Sequence, residues 1–177
     1  MSAAPETIEA PLDRDQLATR WRALCADPTF EDLAAKIELT EWGEILMSPV
    51  GKTHGLLAAR IVRVLEDALG GRTMVEVGVA TDLGVRVPDV AWCSSAFLAA
   101  HPEEAPLGSA PELCVEIASP SDARPKLREK AAAYVGAGAT EAWIVFPQSR
   151  EVEIYGREGR RPATSFAIDP ATLFGEL

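Results

Sequence analysis

The sequence predicts an α/β or α+β domain in which mixed strands and two long helices are wrapped on one sheet. Short apolar runs typical of strands recur along the chain, and helical periodicity interrupts them twice, at residues 52–69 and 125–137. With 177 residues, 47% of them hydrophobic and 25% charged, the chain fits one soluble domain. We expect a single domain over residues 1–177, with 1–35 as a helical N-terminal extension. The predicted strands cover residues 72–81, 87–94, 112–118, 141–146 and 151–156, followed by an apolar segment at 164–174.

Composition argues against several classes of protein. No window approaches the roughly 18 uninterrupted apolar residues of a membrane-spanning helix. The N-terminus, MSAAPETIEAPLDRDQ, has acids where a signal peptide needs a basic and then apolar start. Cys25, Cys93 and Cys114 are widely spaced and odd in number, so a disulfide framework is not expected. These features favour a cytoplasmic protein without a membrane partner, in which Cys93 and Cys114 are small core residues.

The charge of the chain is acidic and unevenly distributed. The net charge is −10 and the pI is near 4.7. Residues 1–50 carry ten acids against four bases, whereas residues 51–135 carry eleven against nine. Because polyanions are repelled by such a mean field, DNA binding has to use a local basic surface.

The N-terminal half is predicted to contain two helices and a hairpin. Residues 13–25 are typical of a short amphipathic helix, closed by the sequence ADP. The run KIELTEWGEILMS predicts two extended segments around Trp42-Gly43. Residues 52–69 form the clearest helix, since their apolar side chains share one stripe and Gly70-Gly71 ends it.

Two predicted strands each carry one acid among small neighbours. Side-chain alternation places Glu116 of ELCVEIA and Asp89 of VPDVAWCS on faces that they share with Ala and Cys residues. An unpaired buried carboxylate costs roughly several kcal/mol, and a shared divalent cation removes that cost. Mg²⁺ prefers oxygen ligands and takes one or two protein carboxylates. The pattern predicts a metal site at Asp89 and Glu116, with a structural ion pair as the alternative.

The helix that follows the Ser-Pro-Ser turn provides a candidate base. Leu127, Ala131 and Tyr134 lie on its apolar stripe. Lys130 lies about 60° from Leu127 on the helical wheel, whereas Lys126 lies about 100° away. Lys130 is therefore the lysine best placed to reach inward, and a solvated helix lysine is the alternative.

An ordered set of motifs resembles a known family. VPDV, then PELCVEIASPS, then REKAAAYVGAGATEAWIVFP is similar to the restriction-endonuclease-like family of the PD-(D/E)xK nuclease superfamily, formerly a domain of unknown function. GEILMSP followed by HG, and EVEIY near the end, fit the same family, and the resemblance covers about residues 36–157. It implies a restriction-endonuclease-like core, a mixed sheet flanked by helices.

The resemblance also implies a reaction. Asp89 corresponds to the Asp of the PD motif and Glu116 to the acid of the (D/E)xK motif. Ala118 stands where the superfamily usually has Lys, and the family moves that Lys to the following helix, which matches Lys130. The implied activity is Mg²⁺- or Mn²⁺-dependent hydrolysis of DNA phosphodiester bonds, with Lys130 orienting the attacking hydroxide.

Two further residues are candidates for the catalytic site. His54 lies at the start of its helix, in phase with Ile61 and Leu65, and a satisfied core histidine is equally consistent with this position. Glu44 follows the hairpin turn and is a candidate for an additional acid near the metal, with a strand-edge acid as the alternative.

The expected partners are DNA and a second copy of the chain. Arg124, Lys126 and Arg128 form the candidate basic surface, for which we expect weak and salt-dependent DNA binding. A homodimer would double this surface. Two alternatives remain open: an inactive nuclease-fold interaction or dimerisation module, which the acidic charge favours, and a metal-dependent phosphodiesterase acting on a small phosphate substrate.

Overall fold

The computed structural model describes residues 10–30, 35–49, 51–102 and 105–175. Within these ranges the chain forms helices α1 (Arg14–Cys25), α2 (Lys52–Leu69), α3 (Ser95–Ala100) and α4 (Arg124–Gly136), with 3-10 helices at Pro28–Phe30 and Pro170–Phe174. The strands are β1 (Ala35–Thr40), β2 (Ile45–Pro49), β3 (Arg72–Met74), β4 (Val79–Thr81), β5 (Gly84–Arg86), β6 (Val90–Cys93), β7 (Leu113–Ile117), β8 (Glu141–Phe146), β9 (Glu151–Gly156) and β10 (Gly159–Arg161).

The strands form two sheets. The smaller sheet has four strands in the order β2-β1-β5-β4, and the larger has six in the order β10-β9-β8-β7-β6-β3. Neighbouring strands are antiparallel except for β7 and β8, which are parallel and joined by α4. The mixed α and β class is confirmed. The expectation of one sheet is wrong, because the chain changes sheets between β3 and β4.

A bend in a predicted strand creates the second sheet. The sequence predicts one strand over residues 72–81, but β3 pairs with β6 in the larger sheet and β4 pairs with β5 in the smaller. Between them, Glu76 has a φ of 56°, which a continuous strand cannot contain. Gly78 also lies against the indole of Trp21, where an added Cβ would meet the ring at 2.8 Å. The chain therefore turns at this point and enters the smaller sheet.

Both faces of the larger sheet are covered by a helix. On one face, Leu57 and Ile61 of α2 pack with a core that includes Val115 of β7. On the other face, Leu127 and Tyr134 of α4 pack with a separate apolar cluster. The alternation predicted for residues 112–118 is confirmed, because odd-numbered side chains face α2 and even-numbered ones face α4.

Helix α1 covers the smaller sheet. Its residues Leu17 and Trp21 pack with Leu39 of β1 and Val85 of β5. Asp13 caps the helix by accepting a hydrogen bond of 2.8 Å from the backbone N–H of Gln16. Of the predicted N-terminal extension, residues 1–9 and 31–34 lie outside the described residues, while α1 forms part of a core. In the described part of the chain, no helix is both long and apolar enough to cross a membrane.

Candidate active site

Strand pairing brings the two predicted metal acids together. Strands β6 and β7 pair with Val90 opposite Val115. Asp89 directly precedes β6, and its N–H donates to the carbonyl oxygen of Val115 at 3.0 Å, so this register sets Asp89 opposite Glu116. Opposed residues of paired strands point their side chains to the same face. Both carboxylates therefore lie on one side of the larger sheet, although the two acids are distant in sequence.

Strand β1 supplies charged side chains from the smaller sheet. Leu39 and Ile37 face α1, so alternation directs Lys36 and Glu38 to the opposite face. The ammonium nitrogen of Lys36 lies 2.7 Å from Asp89 Oδ1. The polar face of the smaller sheet therefore meets the acid-bearing face of the larger one, and the site lies between them.

Lys130 of α4 reaches the same cluster. Its Nζ lies 2.9 Å from Glu116 Oε1 and 2.9 Å from Glu38 Oε1. The burial of Leu127 and Ala131 on the same helix fixes the face from which Lys130 extends. This position agrees with the helical-wheel prediction, since Lys130 borders the buried stripe.

Tyr134, one turn further along α4, binds the same carboxylate. Its hydroxyl donates to Glu116 Oε1 at 2.7 Å, and the tyrosine side chain is fully buried. Burial and the negative charge of Glu116 raise the pKa of Tyr134 well above its usual value. The phenol therefore stays protonated and serves as a hydrogen-bond donor that orients the carboxylate.

His54 contacts the cluster from the first turn of α2. Its Nε2 lies 3.2 Å from Asp89 Oδ1. The hydrogen bond to Asp89 raises the pKa of His54 above its ordinary value. Burial by itself raises the pKa of Asp89, but the hydrogen bond from His54 and the charge of Lys36 outweigh it and hold this pKa well below the usual range. Asp89 is therefore ionised across the physiological pH range.

Glu38 is a third acid of the cluster. Its Oε1 accepts a hydrogen bond of 2.8 Å from the backbone N–H of Val87, and its Oε2 lies 3.7 Å from Arg86 Nη1. The Nε of Arg86 is buried and has no hydrogen-bond partner within the described residues. Glu38, Asp89 and Glu116 are thus matched by three cationic side chains, those of Lys36, Arg86 and Lys130.

Each of the two metal acids has one oxygen that is already used by the protein. Asp89 Oδ2 accepts a hydrogen bond of 2.7 Å from the backbone N–H of Ile117. Glu116 Oε1 is held by Tyr134 and Lys130. These contacts fix both carboxylates in place. The second oxygens, Asp89 Oδ1 and Glu116 Oε2, do not take part in these contacts.

The second oxygens of the two acids converge on Lys36, and Asp89 Oδ1 also contacts His54 at 3.2 Å. Asp89 Oδ1 and Glu116 Oε2 lie 2.7 and 3.4 Å from the same atom, Nζ of Lys36. Two carboxylate oxygens that share one cation are a donor set that suits Mg²⁺ or Mn²⁺. No group of three or more His, Cys, Asp or Glu side chains forms a ready metal cage in the described ranges. The pair at Asp89 and Glu116 thus fits an ion that keeps most of its ligands as water or substrate.

Glu44 lies apart from this cluster. It is exposed after the hairpin turn, and its backbone N–H donates to Thr40 Oγ1 at 3.1 Å. Sequence reasoning missed Glu38 and Lys36, which occupy the cluster instead. The signal was present in KIELT, because its polar and apolar residues alternate with a period of two and place both charged side chains on one face.

The three predicted DNA-contacting bases differ in their surroundings. Arg128 and Arg124 bind the carboxylate of Glu153 at 2.8 and 3.1 Å, and the guanidinium of Arg124 also lies 4.0 Å from the centre of the Phe146 ring. Lys126 is exposed. Glu153 therefore neutralises a large part of the positive charge of Arg124 and Arg128 within the protein.

The remaining small residues near the acids belong to the packing of the sheet. Ala118 donates its backbone N–H to Val145 at 2.8 Å and packs against the α4 core. Cys93 and Cys114 are free and buried, and burial raises the pKa of both thiols. A lysine at position 118 is not needed for a cation to reach Glu116, because Lys130 already does so from α4.

These features define a restriction-endonuclease-like fold: a mixed sheet flanked by helices, with an Asp just before one strand and a Glu on the neighbouring strand, beside a lysine. The crystal structure of a protein from Anabaena variabilis, described as "a putative nuclease belonging to DUF820", is similar to this structure with a TM-score of 0.66. The similarity covers 93% of this chain and 98% of that chain at 19% sequence identity, and it shows the shared fold.

The family follows from the sequence match. A family model described as "Uma2: Putative restriction endonuclease" matches residues 27–173. The chain therefore belongs to the Uma2 family, and the resemblance to restriction-endonuclease-like nucleases is confirmed. No curated protein is significantly similar to it in sequence.

Proposed function

We propose that the protein is a Mg²⁺- or Mn²⁺-dependent endonuclease that hydrolyses phosphodiester bonds in DNA. The observation that carries this proposal is the convergence of Asp89 Oδ1 and Glu116 Oε2 on one cationic position. Membership of the Uma2 family supports nuclease chemistry at this position. Asp89 and Glu116 would hold the metal ion, which polarises the phosphate and acidifies a water molecule when it is bound.

The other side chains of the cluster have separate roles in this proposal. Hydrolysis forms a bond between phosphorus and a water oxygen and breaks the bond to the leaving oxygen, which takes up a proton. Lys130 is fixed between Glu116 and Glu38, so its ammonium group is in place to stabilise negative charge on the phosphate. His54 is partly exposed and its Nε2 lies 3.2 Å from Asp89 Oδ1, so its imidazole is placed beside the proposed metal position, where it can supply the proton.

Contacts to DNA are proposed to run through the basic surface of Arg124, Lys126 and Arg128. Lys126 contributes most, since Glu153 already neutralises part of the charge of the two arginines. With a net charge of −10, the whole protein repels DNA at long range. Binding is therefore expected to be weak and to fall steeply as the salt concentration rises.

We also propose that two copies of the chain form a homodimer through β2. This strand is at the edge of the smaller sheet, and its residues Ile45, Leu46 and Met47 are exposed. An exposed apolar edge strand is a ready template for pairing with another strand. Strand β2 carries no charged residue, so two acidic copies can approach there with less repulsion than elsewhere. Antiparallel pairing of β2 with its own copy would extend the sheet across a twofold axis.

Plasmid nicking tests the proposed activity directly. The wild type should nick supercoiled plasmid in Mg²⁺ or Mn²⁺ but not in EDTA. Asp89→Asn and Glu116→Gln should each lower the rate by about 100-fold or more. Glu141→Gln is the matched control, because Glu141 is a buried, ion-paired carboxylate outside both the cluster and the basic surface. Nicking that survives both EDTA and Asp89→Asn would contradict the proposal, and preferential cleavage of bis(p-nitrophenyl) phosphate would favour a small-substrate phosphodiesterase.

A second candidate function is that of an inactive nuclease-fold module. It is favoured by the balance of charge in the cluster, where Glu38, Asp89 and Glu116 are all paired with cationic side chains of the chain itself. Such a network satisfies its own charges, as a purely structural ion-pair cluster does. This candidate predicts that Mn²⁺ neither binds to the protein nor changes its melting temperature.

A further inference from the structure

Lys36 occupies the position in which the proposed metal ion would bind. Its ammonium group contacts the one oxygen of Asp89 and the one oxygen of Glu116 that converge on a shared cation. The motifs in the sequence assign no role to this lysine. Its place in the structure is set by β1, which presents it from the smaller sheet between the two acids.

The two lysines of the cluster bind different oxygens of Glu116. Lys130 lies 2.9 Å from Oε1, the oxygen that also accepts the hydrogen bond of Tyr134. Lys36 lies 3.4 Å from Oε2. Lys130 can therefore stay in place when a metal ion binds, whereas Lys36 cannot, because its ammonium and the ion would compete for the same two oxygens.

The charge of Lys36 is needed while the site holds no other cation. The side chains of Asp89 and Glu116 are each only 5% exposed, so water screens their mutual repulsion poorly. The ammonium group of Lys36 lies 2.7 Å from Asp89 Oδ1 and 3.4 Å from Glu116 Oε2, so its positive charge offsets the charge of both acids.

Lys36 is also free to leave. Its side chain is 17% exposed, and a compact ammonium on a flexible four-carbon stem can move to solvent without a change of backbone.

We propose that Lys36 is the internal counter-ion of the metal site: it holds Asp89 and Glu116 in place until a divalent cation displaces its ammonium group. This inference rests on the proposed metal-dependent function. Lys36 thereby opposes metal binding and stabilises the metal-free protein, two effects that a merely structural lysine does not combine. Removing its charge should make the metal-free protein less stable and the binding of metal tighter.

The test measures Mn²⁺ binding by calorimetry and thermal unfolding with EDTA or Mn²⁺. Lys36→Met keeps the length of the side chain and removes its charge, Lys36→Arg keeps the charge, and Lys126→Met is the control for the loss of an exposed lysine. Lys36→Met should bind Mn²⁺ about tenfold more tightly or better, with a lower melting temperature in EDTA and a larger increase on adding Mn²⁺. Lys36→Arg and Lys126→Met should gain no affinity. If Lys36→Met does not fold in EDTA, its recovery by Mn²⁺ supports the inference, provided that Asp89→Asn in the same background abolishes the recovery.

Each outcome separates this inference from the proposed function. Equal Mn²⁺ affinity of the wild type and Lys36→Met, with binding lost in Asp89→Asn, overturns the counter-ion role and leaves the metal site intact. Binding by Lys36→Met alone supports the counter-ion role and leaves nicking to decide the activity. Absence of binding from both proteins overturns the inference together with the metal-dependent function.

Discussion

Tyr134 donates its phenolic proton to Glu116 at 2.7 Å, and both side chains are buried. The hydrogen bond ends on Oε1, so it holds the carboxylate in a rotation that turns Oε2 toward Asp89 and the shared cationic position. Tyr134 does not face the proposed cation, but it controls which oxygen of Glu116 is presented to that cation.

Tyr134→Phe should weaken both stability and metal binding. It removes the donor and keeps the ring, so we expect the free energy of unfolding to fall by about 1 to 2 kcal/mol. The affinity for Mn²⁺ should fall as well, because Glu116 Oε1 is then held by Lys130 alone among the contacts described above. Urea unfolding and calorimetry measure the two effects. Tyr155→Phe is the matched control, since Tyr155 donates to Glu153 at 2.8 Å outside the cluster. A loss of stability with unchanged Mn²⁺ affinity would show that the phenol does not position Glu116 for the metal.

Lys130 and Lys126 should differ sharply in nicking activity, although both lie on α4. Lys130 contacts two acids of the cluster, while Lys126 is exposed. Lys130→Ala should lower the initial rate of plasmid nicking by about 100-fold or more, and Lys126→Ala should leave the rate at saturating DNA nearly unchanged. Circular dichroism of both variants checks that the fold is kept. A fully active Lys130→Ala with an inactive Lys126→Ala would reverse the assignment.

The ion pairs of Glu153 should make stability depend on acidic pH. The hydrogen bond from Arg128 is the main cause that lowers the pKa of Glu153 from 4.5 to about 2. A carboxyl group whose pKa is lower in the folded protein stabilises the fold at pH values above its pKa in the unfolded chain. This stabilisation is lost as the pH falls through its pKa in the folded protein. Glu153→Gln should therefore lower the free energy of unfolding by about 1 to 2 kcal/mol at pH 7 and by less near pH 2. The effect at pH 7 is reduced by solvent screening, because the arginines are half exposed.

Chemical denaturation of both proteins across this pH range measures the difference between their free energies of unfolding. Glu44→Gln is the control, because Glu44 is an exposed acid. A difference that stays constant from pH 7 to pH 2 would show that the charge of Glu153 does not contribute to stability.

The salt dependence of DNA binding should distinguish the three bases. Each lost phosphate contact lowers the slope of log affinity against log salt by about 0.9 on duplex DNA. Lys126→Ala should show about this change, whereas Arg124→Ala and Arg128→Ala should show less, because Glu153 already binds both guanidinium groups. Filter binding over a salt series measures the slopes. A triple variant with the slope of the wild type would place the DNA contacts elsewhere.

A charge placed on β2 should disrupt the proposed homodimer. Met47 is the most exposed large apolar side chain of that strand, at 58%. Met47→Lys should shift the molecular mass found by size-exclusion chromatography with light scattering from that of two copies to that of one. Val75→Lys is the control, since Val75 is 56% exposed but lies outside β2. A wild type that is monomeric at all concentrations, or a dimer that survives Met47→Lys, would contradict this interface.

The sequence predicted the positions of those residues whose neighbours in the chain fix the direction of their side chains. Asp89 and Glu116 alternate with buried residues in strands, and Lys130 borders a helical stripe, so elementary periodicity placed all three. Alternation in KIELT places Lys36 and Glu38 on one face, but they were missed because the hairpin contains three glutamates, and the pairing of β1 with β5 is needed to show which face meets the larger sheet. That pairing joins segments that are distant in sequence.

The second sheet could not be predicted from the sequence, for a different reason. Residues 72–81 alternate like one strand, and the break depends on Glu76 at a positive φ, a conformation in which glutamate is uncommon. The formation of the short strand β5 also depends on the rest of the fold. Pairing with β1 and β4 stabilises it more than the preferences of its own three residues do.

The charged cluster draws on segments from Lys36 to Tyr134, and none of its acids meets its partner through local contacts. A polypeptide is made from its N-terminus, so a chain still on the ribosome lacks α4 until the residues up to Gly136 have been synthesised. Asp89 and Glu116 exist in that unfinished chain, but the helix that fixes Glu116 does not. On the proposed function, a partly synthesised molecule would therefore be harmless to nearby nucleic acid, and cutting would begin only with the completed fold.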